Sequence, residues 1–330
     1  MGKDVGEALA DAAFMRDSLM GSKLEASYSG AQSFYRRKYT KSLDGVDVAV
    51  SGIPFDLSVS NRPGTRFGPE AIRRASAQHA WGPVWPWRFD PFDTLAVTDW
   101  GDLDFDWGEP MAIPAAIQAH TAEVLASGAA SFHLGGDHFT TGPTLAAYAT
   151  KFGPMGMVQF DAHRDVEPGS GGRLDHGSMF YDAVKAGVLN PKRCVQIGIR
   201  TCFHGEESLG MTVLDAEAVQ GMTAGAVADV VKEVLGDGPS YLTFDIDCLD
   251  PAYAPGTGTP VPGGLSSHQA LSILRGLKGV DFAGMDVVEV SPPYDAAEIT
   301  ANVAAIIAVE MLCLKAWARG RDRWRWGEPG

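Results

Sequence analysis

The chain of 330 residues carries 27 basic and 41 acidic side chains, a formal net charge of −14. That balance argues against non-specific nucleic-acid binding, which needs a basic face to neutralise phosphates. A content of 45% hydrophobic and 21% charged residues describes an ordinary globular protein with ample material for a core.

The N-terminus carries Asp4, Glu7 and Asp11 and lacks the long apolar stretch of a secretory signal. No run approaches the roughly 18 consecutive apolar residues expected of a membrane span. Cys194, Cys202, Cys248 and Cys313 form no C-x-x-C pair, which reads as reduced thiols rather than a disulfide scaffold. The expected location is the cytoplasm. Residues 1–44 read as a polar, amphipathic arm ending in FYRRKYTK, placed against the body or a neighbouring subunit. Residues 45–330 read as a single domain, because no linker or repeat interrupts 45–320.

Strands are expected at 46–53, 94–100, 130–135, 155–162, 193–199, 211–214, 241–247 and 282–290. Helical patterns lie between them at 112–127, 224–236 and 266–277, with a long one at 297–320. Near-continuous apolar strands alternating with crossover helices predict a mainly parallel sheet of about eight strands in a three-layer α/β/α arrangement. Ligands of such sheets gather at the carboxyl ends of strands, and that is where the unusual polar residues fall. GGDH (135–138), DAHRD (161–165), DIDCLDP (245–251) and Glu289 end the third, fourth, seventh and eighth strands.

Alternation along a strand puts Asp161, His163 and Asp165 on one side, and Asp245 with Asp247 on one side. His138 enters from the GGDH loop, where Gly135 and Gly136 allow a tight turn. Four carboxylates and two imidazoles then converge. Buried carboxylates of like charge are normally paired or metal-bound, and two divalent cations would balance these. Oxygen and imidazole ligands without thiolate favour Mn²⁺ or a similar metal over structural zinc, and alternation turns Cys248 away. Asp250, beside Pro251, reads as a turn residue. The single histidines His79, His120, His133, His204 and His268 read as structural or solvated.

GGDH, DAHRD and FDIDCLDPAYAPGTGTPVPGG (244–264) resemble the three signature blocks of the ureohydrolases, the arginase–agmatinase family. The likeness runs from SGIPFD (51–56) and RPGTRFGPEAIR (62–73) through MDVVEVSP (285–292) to the C-terminal helix, and looks most like bacterial agmatinases. Arg164 departs from the family, which more often has a small or neutral residue there; alternation points it away from the metals. The resemblance implies an arginase-like fold and a binuclear manganese hydrolase that cleaves a guanidino group to urea and an amine. It implies His138 and Asp165 on one metal, His163 and Asp247 on the other, and Asp161 and Asp245 bridging. It further implies Asp165 as the group that orients the nucleophile, Glu289 as the guanidinium partner and His176 as the proton shuttle. Assembly as a homo-oligomer, trimer or hexamer, is the family expectation.

Substrate-tail contacts are expected from loops 166–175 and 200–206. Where arginases use an Asn to help bind the α-carboxylate, Glu167 would repel it; where they carry an Asp for the α-amino group, this chain has Phe203. Both departures disfavour L-arginine and suit agmatine. Arg173 could instead clamp an acid tail such as that of 4-guanidinobutyrate, or be a solvated loop residue. Trp81, Trp85 and Trp87 could wall the entrance or pack. A single-zinc deacetylase would show a depleted second metal site, and a non-catalytic relative would lack His176, Glu289 or a bridging Asp. All are present.

Overall fold

The computed structural model describes residues 11–169, 171–202 and 209–320. Nine strands form one sheet: β1 (Lys38–Tyr39), β2 (Val48–Ile53), β3 (Val97–Asp102), β4 (Ala130–Gly135), β5 (Met155–Phe160), β6 (Leu189–Ile199), β7 (Thr212–Asp215), β8 (Ser240–Asp245) and β9 (Gly284–Val288). Their order is β1-β3-β2-β4-β9-β8-β5-β6-β7, and every pairing is parallel. The eight expected strands are present. The short edge strand β1 is an addition, and it comes from the N-terminal arm. Phe34 and Tyr35, just before it, are buried in the main core, where Tyr35 donates its hydroxyl to the Ala305 carbonyl at 2.9 Å.

Successive side chains of the central strands point to opposite faces, so the two faces build separate cores. Val158, Phe160, Leu242, Phe244 and Val287 face helices Gly68–Ala77, Ala224–Leu235, Ser267–Gly276 and Ile299–Ala318. Met157, Cys194 and Tyr241 face helices Thr141–Phe152 and Met179–Lys185. Ser266 and Gln269 close a reciprocal capping box that starts the third of the helices on the first face. The last helix is apolar and long enough to cross a bilayer, yet most of it is buried in this core. Its Glu310 pairs with Arg275 and its Lys315 with Asp281.

One row of the sheet breaks the apolar rule. Gln196, Gln159, Thr243, Asp286, His133 and Ser51 stand side by side across six neighbouring strands, all buried. Gln159 and Thr243 lie two residues before Asp161 and Asp245, one pleat beneath the carboxyl edge.

Candidate metal centre

The chain reaches β4 from one edge of the sheet, crosses to β5 and runs on to the other edge, then returns to lay β8 and β9 in the gap. A crevice at such a reversal is where open α/β sheets hold ligands. His138, Asp161, Asp245 and Glu289 leave the carboxyl ends of these four strands.

Turns rather than pleats bring the acids together. β5 ends at Phe160 and β8 at Asp245, so alternation does not extend through DAHRD or DIDC. Asp245 instead caps a 3₁₀ turn at Ile246–Cys248, its Oδ1 accepting the Asp247 N–H at 2.8 Å. Asp161 Oδ1 likewise accepts the His163 N–H at 2.7 Å. Asp165 has φ 55° and Glu289 φ 64°, left-handed values that cost a non-glycine residue about 1–3 kcal/mol. Cys248 does turn away, its Sγ lying against the Ile197 carbonyl. The GGDH glycines also serve another purpose than a turn. A Cβ on Gly136 would lie 1.8 Å from the Phe55 carbonyl oxygen, and one on Gly135 would lie 2.5 Å from Val288, so both permit close approach.

All six residues expected as metal ligands meet. His138 Nδ1 lies 3.0 Å from Asp161 Oδ2, 3.0 Å from Asp165 Oδ2 and 3.2 Å from Asp245 Oδ2. His163 Nδ1 lies 3.1 Å from Asp247 Oδ2 and 3.5 Å from Asp161 Oδ1. Ligand atoms of His138, Asp161 and Asp245 fall within 4.8 Å of one another, as do those of Asp161, His163 and Asp247. Asp161 belongs to both groups, one oxygen facing each.

The residues fit a cation pair. His138 Nδ1 is buried and makes no hydrogen bond of acceptable geometry, although three carboxylates surround it. Its Nε2 is held by Thr243 Oγ1 at 2.8 Å, which leaves Nδ1 as the nitrogen to ligate. Without a cation, burial and the charges of Asp247 and Asp161 push the Asp245 carboxyl well up. Burial and Asp161 push Asp165 up to about 7. Asp245 and Asp165 ionise beside Asp161 and Asp247 only with compensating positive charge.

Beside this cluster lies a cavity of about 110 Å³ whose lining includes Asp165, Glu167, His176 and Glu289. Glu289 is buried. Its Oε1 accepts the His138 N–H at 2.9 Å, and its Oε2 has no partner. His176 Nδ1 lies 2.9 Å from Glu289 Oε1, and Ser60 N–H is directed at Nε2 at 3.0 Å. In the neutral ring that pattern puts the proton on Nδ1 and leaves Nε2 as acceptor, whereas in the imidazolium Nε2 donates to Ser60 Oγ, 3.0 Å away. Burial opposes the imidazolium, but the bond to Glu289 and its charge, with Asp137 and Asp165, outweigh it and raise His176 to about 9. A ring with an accepting nitrogen and a stabilised cation is suited to exchange protons.

Glu167 lines the cavity, whereas Arg173 is exposed on the same loop. Phe203 and His204 lie outside the described residues. Asp250 is the turn residue expected, accepting N–H groups of Ala252, Gly263 and Gly264. Trp87 is buried and donates to Glu310, while Trp81 and Trp85 are exposed.

Sequence reasoning passed over several residues. Gln159 donates to Asp161 Oδ2 at 2.7 Å, and Thr259 to Asp247 Oδ2 at 3.2 Å. Asp137, pushed up to about 7 by burial and Glu289, accepts from both the N–H and the hydroxyl of Ser58, fixing the loop that carries Ser60. The available signal was a polar residue inside an apolar strand two places before a site Asp, which alternation puts on the same side.

A model of the arginase family matches residues 46–313. An agmatinase of Chromobacterium violaceum is 53% identical over 306 residues, covering 92% of this chain and 94% of that protein. The crystal structure of a hypothetical agmatinase from Burkholderia thailandensis superposes with a TM-score of 0.92 at 52% identity, over 94% of this chain and 98% of that one. Proclavaminate amidino hydrolase of Streptomyces clavuligerus superposes with a TM-score of 0.83 at 37% identity, over 89% of this chain and all of that one. The chain belongs to the arginase family.

Proposed function

We propose that the protein hydrolyses agmatine to putrescine and urea at a binuclear Mn²⁺ centre. His138 and Asp165 would hold one ion, His163 and Asp247 the other, with Asp161 and Asp245 shared between them. The bound ions would lower the pKa of water and supply a nucleophile at neutral pH. The relatives named agmatinase support the substrate. The observation that carries the site reading is the unpartnered, buried Oε2 of Glu289 beside the ligand cluster.

A guanidinium is planar, permanently charged and a poor electrophile, so it must be held by an anion that fixes its plane. Glu289 offers Oε2 for that contact, while its Oε1 stays bound to His138 N–H. Asp165, at the cavity wall, accepts a hydrogen bond from the attacking water and aims its lone pair at the guanidinium carbon. Cleavage of the carbon–nitrogen bond to the alkyl chain leaves an amine that needs a proton. His176 delivers it, and Glu289 stabilises the imidazolium beforehand. Glu167 faces the primary ammonium tail, an assignment consistent with the cationic end of agmatine and opposed to a carboxylate.

The four cysteines, none of them in a disulfide, support a reducing, cytoplasmic setting. Exposed Phe14, Leu24 and Tyr28 on the N-terminal arm support contacts of that arm in a homo-oligomer, trimer or hexamer. The decisive experiment loads the protein with Mn²⁺ and measures urea from agmatine, 4-guanidinobutyrate, L-arginine and further guanidino compounds. Agmatine is expected to give the highest kcat/KM. Absence of urea from every member, with two Mn²⁺ bound per chain, would sink the function and spare the site.

A further inference from the structure

Arg164 sits between two expected metal ligands, and nothing in the chemistry above uses it. Its Nε donates to Gln196 Oε1 at 3.2 Å, and its carbonyl accepts from Gln196 Nε2 at 2.7 Å. Gln196 Nε2 also donates to Gln159 Oε1 at 2.7 Å. Gln159 Nε2 in turn donates to Asp161 Oδ2 at 2.7 Å and to the His163 carbonyl at 3.2 Å. Gln159 and Gln196 are register partners on β5 and β6, and neither is exposed.

The polarity of this chain is fixed from both ends. A guanidinium only donates and an ionised carboxylate only accepts. Amide orientation follows from the partners available to it. Reversing Gln159 would set its oxygen against two acceptors, Asp161 Oδ2 and the His163 carbonyl, at a buried position. Two buried amides would be a poor choice for filling space alone, since aliphatic side chains fill it without polar atoms to satisfy. Their orientation serves Asp161, the carboxylate common to both ligand groups. Oδ2 is held by Gln159 and Oδ1 by the His163 N–H, so the remaining lone pairs are aimed.

We infer that Arg164, Gln196 and Gln159 form a relay of positioning residues that locks the Asp161 carboxylate in the orientation shared by two cations. The inference rests on Asp161 as a shared ligand, and its test reads metal binding rather than turnover. Metal-depleted protein is titrated with Mn²⁺ by calorimetry, and the exchange-coupled signal of the ion pair is followed by electron paramagnetic resonance. Gln159→Leu and Gln196→Glu are expected to weaken Mn²⁺ binding by roughly 10- to 100-fold, the range for lost outer-shell partners, and to reduce the coupled signal. Arg164→Met, at a half-buried position, is expected to cost about three- to tenfold, the scale of one hydrogen bond. Adding Arg164→Met to Gln159→Leu should cost nothing further, because the relay is already cut. A purely structural role would lower the melting temperature and leave Mn²⁺ affinity and coupling unchanged, which overturns the relay. Equal losses from Arg164→Met in both backgrounds would overturn it too. A parent protein that binds no ion pair would instead remove the metal-centre reading and the relay with it.

Discussion

Glu289 Oε1 lies 2.9 Å from His176 Nδ1 and equally 2.9 Å from the backbone nitrogen of His138. One carboxylate oxygen thus ties the proposed proton shuttle to the loop that carries a proposed metal ligand, while the other oxygen is buried without a partner. The backbone completes the tie, since Glu289 N–H donates to the Gly136 carbonyl at 2.9 Å.

This double attachment makes Glu289→Gln informative. The amide oxygen can still accept from His138, so Mn²⁺ binding should be kept. The lost charge should lower kcat/KM for agmatine by about a hundredfold or more, with KM raised. His176→Asn should show the complementary split: KM near the parent value and kcat reduced by at least about a hundredfold. Steady-state urea kinetics with metal analysis checks both. An unchanged KM in Glu289→Gln would exclude the guanidinium contact.

Substrate choice should turn on Glu167 rather than Arg173. Glu167→Gln removes a carboxylate from the cavity wall and should raise the agmatine KM by about tenfold, the effect of about one charge-assisted hydrogen bond. Arg173→Ala, at an exposed position, should leave agmatine turnover within about twofold. A strong loss of agmatine turnover in Arg173→Ala would place that side chain in the cavity during catalysis.

Much of this site is legible in the sequence, for a physical reason. Ionisable residues buried where apolar strands end are expensive, so Asp161, His163, Asp245 and Asp247 stand out against their neighbours in the chain. What stayed hidden was set by local backbone geometry. Asp165 and Glu289 reach the cluster through left-handed conformations, and Asp245 and Asp247 through a 3₁₀ turn; none of these is written in a two-residue period. Gln159, Thr243 and Asp286 are buried beneath the site, but single polar residues in a strand look unremarkable until the register of six strands aligns them. Strand β1 escaped because two residues carry no periodicity.

Removing the metal should destabilise the protein and invert its pH response near neutrality. Each ion held at a hundred times its Kd contributes about 2.7 kcal/mol, so chelation should lower the melting temperature by several degrees. In the chelated protein Asp165 is raised to about 7 and Asp245 well above the carboxylate range. Folding therefore takes up protons at these groups, and their stabilisation, full below about 3.8, is lost as pH rises through 7. Chelated protein should melt lower at pH 8 than at pH 6, whereas Mn²⁺-loaded protein should not. Thermal scans with and without chelator at both pH values decide it; parallel shifts would contradict the electrostatic account of the cluster.

The far end of the buried polar row carries a separate acid sensitivity. His120 Nε2 meets Ser51 Oγ at 2.8 Å, and His133 Nδ1 meets Thr144 Oγ1 at 3.2 Å, with His133 Nε2 unpartnered. Burial, with Lys41 nearby, lowers His120 to about 4; burial, with His120 nearby, lowers His133 to about 3. The unfolded chain binds these protons near 6.5, so stability is full above that value. It falls as pH drops from 6.5 towards 4 and 3, where the folded rings finally protonate. By pH 5 the loss should reach about 2 kcal/mol for each ring. The metal ligands have their own acid lability, so the informative quantity is the difference in slope between parent and variant. In urea unfolding series from pH 7 to 5, His120→Gln should remove about half of the dependence assigned to this pair. Identical slopes would mean that the rings admit protons without unfolding, and the row would not be as dry as its burial implies.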